Sequence, residues 1–324
     1  MASLTSPPPR VLVAGAGPAG MAAALACHAI GLSALLVDAA PLGGLLRLSG
    51  WPMDATLGAL GATGREAAAR MAADIARAGI PLHPAAARGI DVPGKRLLLD
   101  GAPDALPYEA LIVATGVRFR ATGLPGEAEA EGKWFFNHPP LAPRPGPAGR
   151  RVLVLGGGDN AFSTAVLEAE TAREVVIALR EHPRAHPWTI EAAARCPNIS
   201  LRTGLRAVRI ESLPTPRIHF ATAAGEEVLT CDAAYANLGY APNSEWTGGA
   251  LRLSEEGAIV VDAGFRASAP GVWAVGEVTG LPAPCVQTAL GHAPVAAHAV
   301  AAMLRDEGAV AAALAAMEQR TRPT

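Results

Sequence analysis

Two glycine-rich stretches, each set between an apolar run and an alanine-rich one, constrain this chain more than any bulk property. The first begins at Val11-Leu-Val-Ala14, short and wholly apolar, as a buried parallel strand requires. "GAGPAG" (15–20) follows directly, then the alanine-rich Met21 to Ile30, which predicts a helix. A second strand is expected over Ala34-Leu-Leu-Val-Asp38, ending in a carboxylate. In this strand–loop–helix–strand unit Gly15 permits the tight turn and Gly17 lets a pyrophosphate approach the backbone. Gly20 lets the helix close on the strand. The helix N-terminus presents N–H groups and a positive dipole end to the phosphates. Asp38, about 20 residues on, can accept hydrogen bonds from ribose hydroxyls.

The unit recurs about 140 residues later. Arg151-Val-Leu-Val-Leu155 enters "GGGDNA" (156–161), a helix is expected to about Glu170, and a strand over Glu174 to Arg180. Here the strand ends in Arg180 and Glu181. Arginine at that point suits a 2′-phosphate, whereas a glutamate suits the free ribose of NAD, so NADPH and NADH both remain open. Solvated loop charges are the plainer alternative. Two such loops in one chain predict two bound dinucleotides, a flavin and a nicotinamide being the usual redox pair.

The rest of the chain narrows the class. In 324 residues, 50% are hydrophobic and 17% charged, enough for a sizeable core. A formal charge of −2 gives no electrostatic reason to expect nucleic acid or an acidic membrane as partner. No apolar run approaches a membrane span, and "MASLTSPPPR" carries no signal core, so a cytoplasmic location is expected. Cys27, Cys196, Cys231 and Cys285 form no C-x-x-C and no zinc-ligand spacing, so neither a disulfide framework nor a metal is expected.

With these motifs placed, the chain resembles the low-molecular-weight thioredoxin reductase family of FAD- and NAD(P)H-binding flavoproteins, from about residue 10 to residue 303. "GAGPAG" with Asp38 resembles the FAD loop, and "GGLL" (43–46) before Trp51-Pro52 the second flavin-side loop. "LIVATG" (111–116) and "NLGYAPNSE" (237–245) resemble the two crossings between domains, and "GGGDNA" the NAD(P) loop. "GVWAVGEVTG" (271–280) and "VQTALGHA" (286–293) resemble the closing FAD motif. The resemblance implies an α/β fold of two Rossmann-like dinucleotide-binding domains of three-layer ββα type. The NAD(P)-binding domain, 119–245, is inserted into a discontinuous FAD domain built from 1–118 and 246–324. It implies FAD contacts at Gly15, Gly17, Pro18, Ala19, Gly20, Asp38, Gly44, Leu45, Thr115, Gly116, Gly276, Glu277, Gln287, Thr288 and Ala289. NAD(P) contacts are implied at Gly156, Gly158, Asp159, Asn160, Ala161, Arg180 and Glu181, together with a homodimer.

Three departures from the family pattern shape the functional expectation. The position of the redox dithiol falls on His138-Pro-Pro-Leu141, which has no cysteine. The closing Gly-Asp is Gly276-Glu277, one methylene longer. The family's His-Arg-Arg cluster with a further arginine reads Leu179-Arg180-Glu181, with Arg184 only near the later position. His138 is therefore the candidate acid or base beside the flavin, the alternative being an exposed loop residue. Trp134, Phe135 and Phe136 either shelter the flavin, wall a substrate pocket or belong to a core. Pro139 and Pro140 stiffen the segment. Cys27 is expected to be a packing residue and Cys285 a buried inert thiol, with a reactive thiol at a helix N-terminus as the alternative. His292 carries the same ambiguity as Cys285.

The expected function is an FAD-dependent oxidoreductase taking electrons from NADPH or NADH to a non-disulfide acceptor. That acceptor is either a ferredoxin- or flavodoxin-type carrier or a small molecule. An acidic carrier wants a basic patch, and the matched loop offers only Lys133, Arg144, Arg150 and Arg151. Two alternatives are an oxidase of a small metabolite that does not use NAD(P)H, and a non-catalytic flavin-binding protein.

Overall fold

The computed structural model describes residues 9–53, 56–101, 105–138 and 149–305; Pro139, Pro140, Leu141 and Arg144 lie outside the described residues. In chain order, β1 (Val11–Ala14), α1 (Pro18–Ala29), β2 (Ala34–Val37), α2 (Gly64–Arg77) and β3 (Leu82–His83) open the chain. β4 (Ala87–Asp91), β5 (Arg96–Leu99), β6 (Leu106–Pro107), β7 (Ala110–Val113) and β8 (Val117–Phe119) follow. Next come α3 (Glu127–Ala130), β9 (Phe135–Phe136), β10 (Arg151–Leu155), α4 (Asp159–Ala169), β11 (Glu174–Ala178), α5 (Pro187–Ala194) and β12 (Ile199–Arg202). β13 (Arg206–Glu211), β14 (Arg217–Thr222), β15 (Gly225–Thr230), β16 (Ala233–Ala236) and β17 (Tyr240–Pro242) lead to β18 (Val272–Ala274) and α6 (Val286–Leu304).

The chain divides into two units. One comprises Met1–Gly44, Arg70–Gly116 and Pro242–Thr324, the other Leu45–Ala69 and Val117–Ala241. The turns that leave and re-enter the first unit are stapled together. Thr115 Oγ1 donates to the Asn243 carbonyl at 2.6 Å, and Asn243 Nδ2 donates back to the Thr115 carbonyl at 3.0 Å.

In the first unit the strand order is β18-β7-β1-β2-β3, every pairing parallel. Alternation along β1 explains the layers. Val11 and Val13 pack on α1 and α6, whereas Leu12 and Ala14 pack on Leu97 and Leu99 of β5. Both faces are buried, which is why β1 is a continuous apolar run. The helix begins at Pro18, three residues before the expected Met21, because proline's fixed φ suits the first helical position.

The second unit repeats the plan. Its sheet order is β12-β11-β10-β16-β9, again parallel at each pairing, with Val152 and Val154 facing α4 and Leu153 and Leu155 facing β13–β15. Each unit is thus three layers, helices on a parallel sheet on an antiparallel sheet, as the resemblance implied.

Trp134, Phe135 and Phe136 are core residues. Phe135 and Phe136 form the edge strand β9 beside β16, and Trp134 packs in the same cluster as Phe135. Burying each ring contributes about 1.5–3 kcal/mol. Of the three readings open for these rings, the core one holds. β11 ends at Ala178, short of the expected Arg180, because its neighbour β12 ends at Arg202; Leu179 N–H still reaches the Arg202 carbonyl at 3.0 Å.

Candidate functional site

In an open parallel sheet, ligands sit beyond the strand C-termini where the strand order reverses direction. In the first unit that point lies between β1 and β7, and the first glycine loop occupies it. Gly15 has φ +110°, and a Cβ on it would sit 2.2 Å from the Ala114 carbonyl oxygen, so only glycine closes this turn. A Cβ on Gly20 would lie 1.9 Å from the Gly15 carbonyl oxygen, the close helix–loop approach its place implied. Over Gly17 the nearest atom to such a Cβ is the Gly44 Cα at 3.9 Å, leaving space above the backbone. No side chain of the cap Gly17 bonds the first turn of α1, which leaves that helix end suited to an external anion.

Asp38 lies just past β2, and its carboxylate braces the loop. Ala16 N–H donates to Oδ2 at 2.7 Å and Ala40 N–H to Oδ1 at 2.8 Å. Each oxygen retains a further lone pair for a ribose hydroxyl. Leu45 lies in a short 3-10 turn, Gly44–Leu48.

At the closing motif, Gly276 is so near α1 that a Cβ would meet the Ala19 Cβ at 2.6 Å. Its N–H donates to His292 Nδ1 at 3.2 Å, so the neutral ring carries its proton on Nε2. Burial pushes the His292 pKa down, and Phe265 covers its ring at 4.4 Å. His292 thus resolves as a brace of the closing turn. Burial likewise raises the Glu277 carboxyl. A hydroxyl donor such as a ribityl group would offset that desolvation.

Thr288 Oγ1 donates to the Ala283 carbonyl at 2.8 Å, while Thr288 N–H reaches Cys285 Sγ at 3.4 Å. Cys285 is therefore the N-cap of α6 and is exposed, which corrects the expectation of a buried thiol. The expectation favoured the apolar character of cysteine over its place at a helix N-terminus, whereas its sulfur here serves as a capping acceptor. Gln287 and Ala289 lie in the first turn of the same helix. Cys27 is buried in the core between α1 and α6 and its pKa is pushed up to about 11, as a packing residue's should be.

The second glycine loop occupies the equivalent reversal, between β10 and β16. A Cβ on Gly156 would lie 2.4 Å from the Asn237 carbonyl oxygen. Gly158 caps α4, again with no side-chain cap, and Ala161 is buried where the first loop has its third glycine. The polar side chains here have partners that the sequence did not disclose. Asp159 Oδ1 accepts from His186 N–H at 2.8 Å and Thr189 Oγ1 at 3.0 Å, tying α4 to the start of α5. Asn160 Nδ2 donates to the Tyr240 hydroxyl at 2.6 Å. Arg184 and Ala185 N–H groups both donate to the Gly157 carbonyl, at 2.7 and 3.1 Å. The segment holding Arg180 and Glu181 therefore folds back over the loop, with both side chains exposed. The polar pair Asp159-Asn160 was visible, but its partners are up to 80 residues distant in sequence.

His138 is partly buried among aromatic rings, 5.9 Å from Phe136 and 6.3 Å from Phe119. The preceding Asn137 is clamped by Glu127, which accepts from Asn137 Nδ2 at 2.6 Å, from Thr122 Oγ1 at 2.7 Å and from Gly123 N–H at 2.7 Å. Burial acts to raise the Glu127 pKa, but these donors outweigh it and hold the carboxyl below its usual value. No sequence signal marked this clamp, because a glutamate in a short polar helix looks solvated.

Two glycine loops thus stand each at the reversal of its own parallel sheet. Residues 9–300 match the pyridine nucleotide-disulphide oxidoreductase family over nearly the whole chain. The chain belongs to that family. Thioredoxin reductase of Treponema pallidum is 31% identical over 308 residues, 91% of this chain and 96% of the relative. A component of the alkyl hydroperoxide reductase of Pseudomonas putida is 30% identical over 192 residues, 58% of this chain. The chain spans only 37% of that relative's length. Among solved structures, Lactococcus lactis thioredoxin reductase superposes with a TM-score of 0.82 at 22% identity, over 90% of this chain and 97% of that one. T. acidophilum thioredoxin reductase gives 0.81 at 24%, over 91% and 98%. These two likenesses show the fold. Both the family match and the Treponema relative are of thioredoxin reductase-like oxidoreductase type. Among the described residues no helix is long and apolar enough to cross a membrane.

Proposed function

We propose that this chain takes electrons from NADPH or NADH through FAD to a small-molecule acceptor rather than to a disulfide. The observation that supports the reading is His138, at the place the resemblance gives to the family's dithiol, standing among aromatic rings. The four cysteines are separate and free: Cys27 and Cys231 are buried, Cys196 half-buried and Cys285 a helix cap. Burial holds the Cys231 thiol at about 12 and Cys27 at about 11, far from the thiolate that exchange requires.

Bound FAD would supply the two-electron chemistry. The first unit would hold it through the Gly15–Gly20 loop, Asp38 and the closing turn at Gly276. The second unit would hold the nicotinamide dinucleotide through Gly156, Gly158 and the α4 N-terminus. His138 would supply or hold a proton for the acceptor. A small molecule is favoured over an acidic carrier because two of the few basic residues that the loop offers a carrier, Arg150 and Arg151, have partners. Arg150 pairs with buried Glu168 at 3.2 Å and Arg151 with Glu174 at 3.1 Å, which leaves Lys133 among the described residues of that patch.

A homodimeric, cytoplasmic enzyme is part of this reading, and sedimentation of the pure protein tests the dimer. The test of function is anaerobic reduction by NADPH or NADH followed by mixing with quinones, a flavodoxin or oxidised thioredoxin. Reoxidation by quinone, with thioredoxin inert, is the expected outcome. Rapid reoxidation by thioredoxin would refute the reading.

A further inference from the structure

Three rings stand together in the second unit, His138 among them. Tyr240 and Phe119 are 5.1 Å apart and Phe119 and His138 6.3 Å apart, within the range of aromatic contact. All three are partly exposed. Their places follow from the strand order. His138 follows the C-terminal end of β9, and Tyr240 follows that of β16; the glycine loop follows β10 and Arg180 follows β11. In space the order is β11-β10-β16-β9.

A dinucleotide on this edge has a fixed direction. Its adenine ribose belongs at the end of β11 and its pyrophosphate over the glycine loop at β10. The other nucleoside then extends across β16 towards β9. Two strand spacings amount to about 10 Å. From phosphorus through ribose to the nicotinamide ring is about seven bonds, on the order of 8–10 Å when extended. The two lengths agree. Asn160, in the first turn of α4 beside the phosphate loop, also holds the Tyr240 hydroxyl at 2.6 Å, fixing the ring to the same loop.

We propose that Phe119, His138 and Tyr240 form a platform in the second unit on which the nicotinamide ring stacks, with Asn160 positioning Tyr240. The proposal rests on the nicotinamide reading above and adds to it a ring-specific subsite. The rings then serve the donor's nicotinamide and not a thiol substrate.

The experiment compares ligands that differ only in the ring. Calorimetric titration of the full chain carrying its flavin uses NAD⁺ against ADP-ribose and NADP⁺ against 2′-phospho-ADP-ribose. The wild type should bind each dinucleotide more tightly than its ring-less counterpart. Tyr240→Leu and Phe119→Leu should each weaken the dinucleotide about 2- to 12-fold and leave the ring-less ligand unchanged, the measured range for one aromatic pair. Tyr240→Phe should keep the preference for the ring. If Tyr240→Leu does not fold, Phe119→Leu makes the same comparison. Equal weakening of both ligands, or of neither, overturns the platform while the nicotinamide reading stands. A wild type that binds neither ligand overturns both.

Discussion

Replacing Asp38 with alanine should separate the two tasks assigned to its carboxylate. In the folded chain the two oxygens accept the N–H groups of Ala16 and Ala40 at 2.7 and 2.8 Å, so the side chain ties the phosphate loop to the turn after β2. Each hydrogen bond to a charged group contributes about 1.5–3 kcal/mol, and water replaces part of that at a half-buried site. The apoprotein of Asp38→Ala should therefore lose about 2–4 kcal/mol. For a unit of this size that lowers Tm by about 4–16 °C, read by circular dichroism without flavin. The same carboxylate retains lone pairs for a ribose hydroxyl, so flavin affinity should fall further, by about 10- to 150-fold. Asp38→Asn keeps one acceptor oxygen and should lie between wild type and alanine in both measurements. The reasoning fails if Asp38→Ala melts with the wild type. It fails equally if the variant keeps its flavin through dialysis against chaotropic salt as the wild type does.

Three further outcomes follow from individual contacts. Glu168 is fully buried, ion-paired to Arg150 and bonded to the Tyr235 hydroxyl at 3.0 Å; Glu168→Ala should destabilise by about 3–5 kcal/mol, measured by urea unfolding. The Glu127 pKa is lowered from 4.5, so its stabilisation is present above that value and fades as pH falls through the lower folded value; Glu127→Gln should flatten this acid limb in denaturation midpoints taken from pH about 6 downwards. Under native conditions a thiol reagent should label exposed Cys285 first and Cys196 more slowly. Buried Cys27 and Cys231 should react only on unfolding, and early labelling of either would contradict their placement.

Much of the architecture could be read from local signals. Val11–Ala14 and Arg151–Leu155 are strands buried on both faces, and their unbroken apolar runs are what such burial demands. The glycines at 15 and 156 were legible because a side chain there would strike a carbonyl of the adjacent crossing. Residues whose meaning depends on a distant partner were not legible. Glu127 resembles any surface glutamate until Thr122, Gly123 and Asn137 converge on it. Asp159 and Asn160 look like phosphate-facing polar residues, yet the fold joins them to Thr189 and Tyr240. Trp134, Phe135 and Phe136 left three roles open because three adjacent rings fit a pocket wall and an edge strand equally well. The register of Phe135 and Phe136 against Ala234 and Tyr235 decides between them. Cys285 shows the opposite failure, a side chain judged by its polarity when its place at a helix start mattered more.

The most direct test of the central claim is a visible spectrum of the purified protein, followed by anaerobic titration with NADPH and NADH in separate samples. The account predicts a bound flavin whose visible absorbance is bleached by one of the two nucleotides, at one equivalent per flavin. A bound flavin that stays oxidised with both would contradict it.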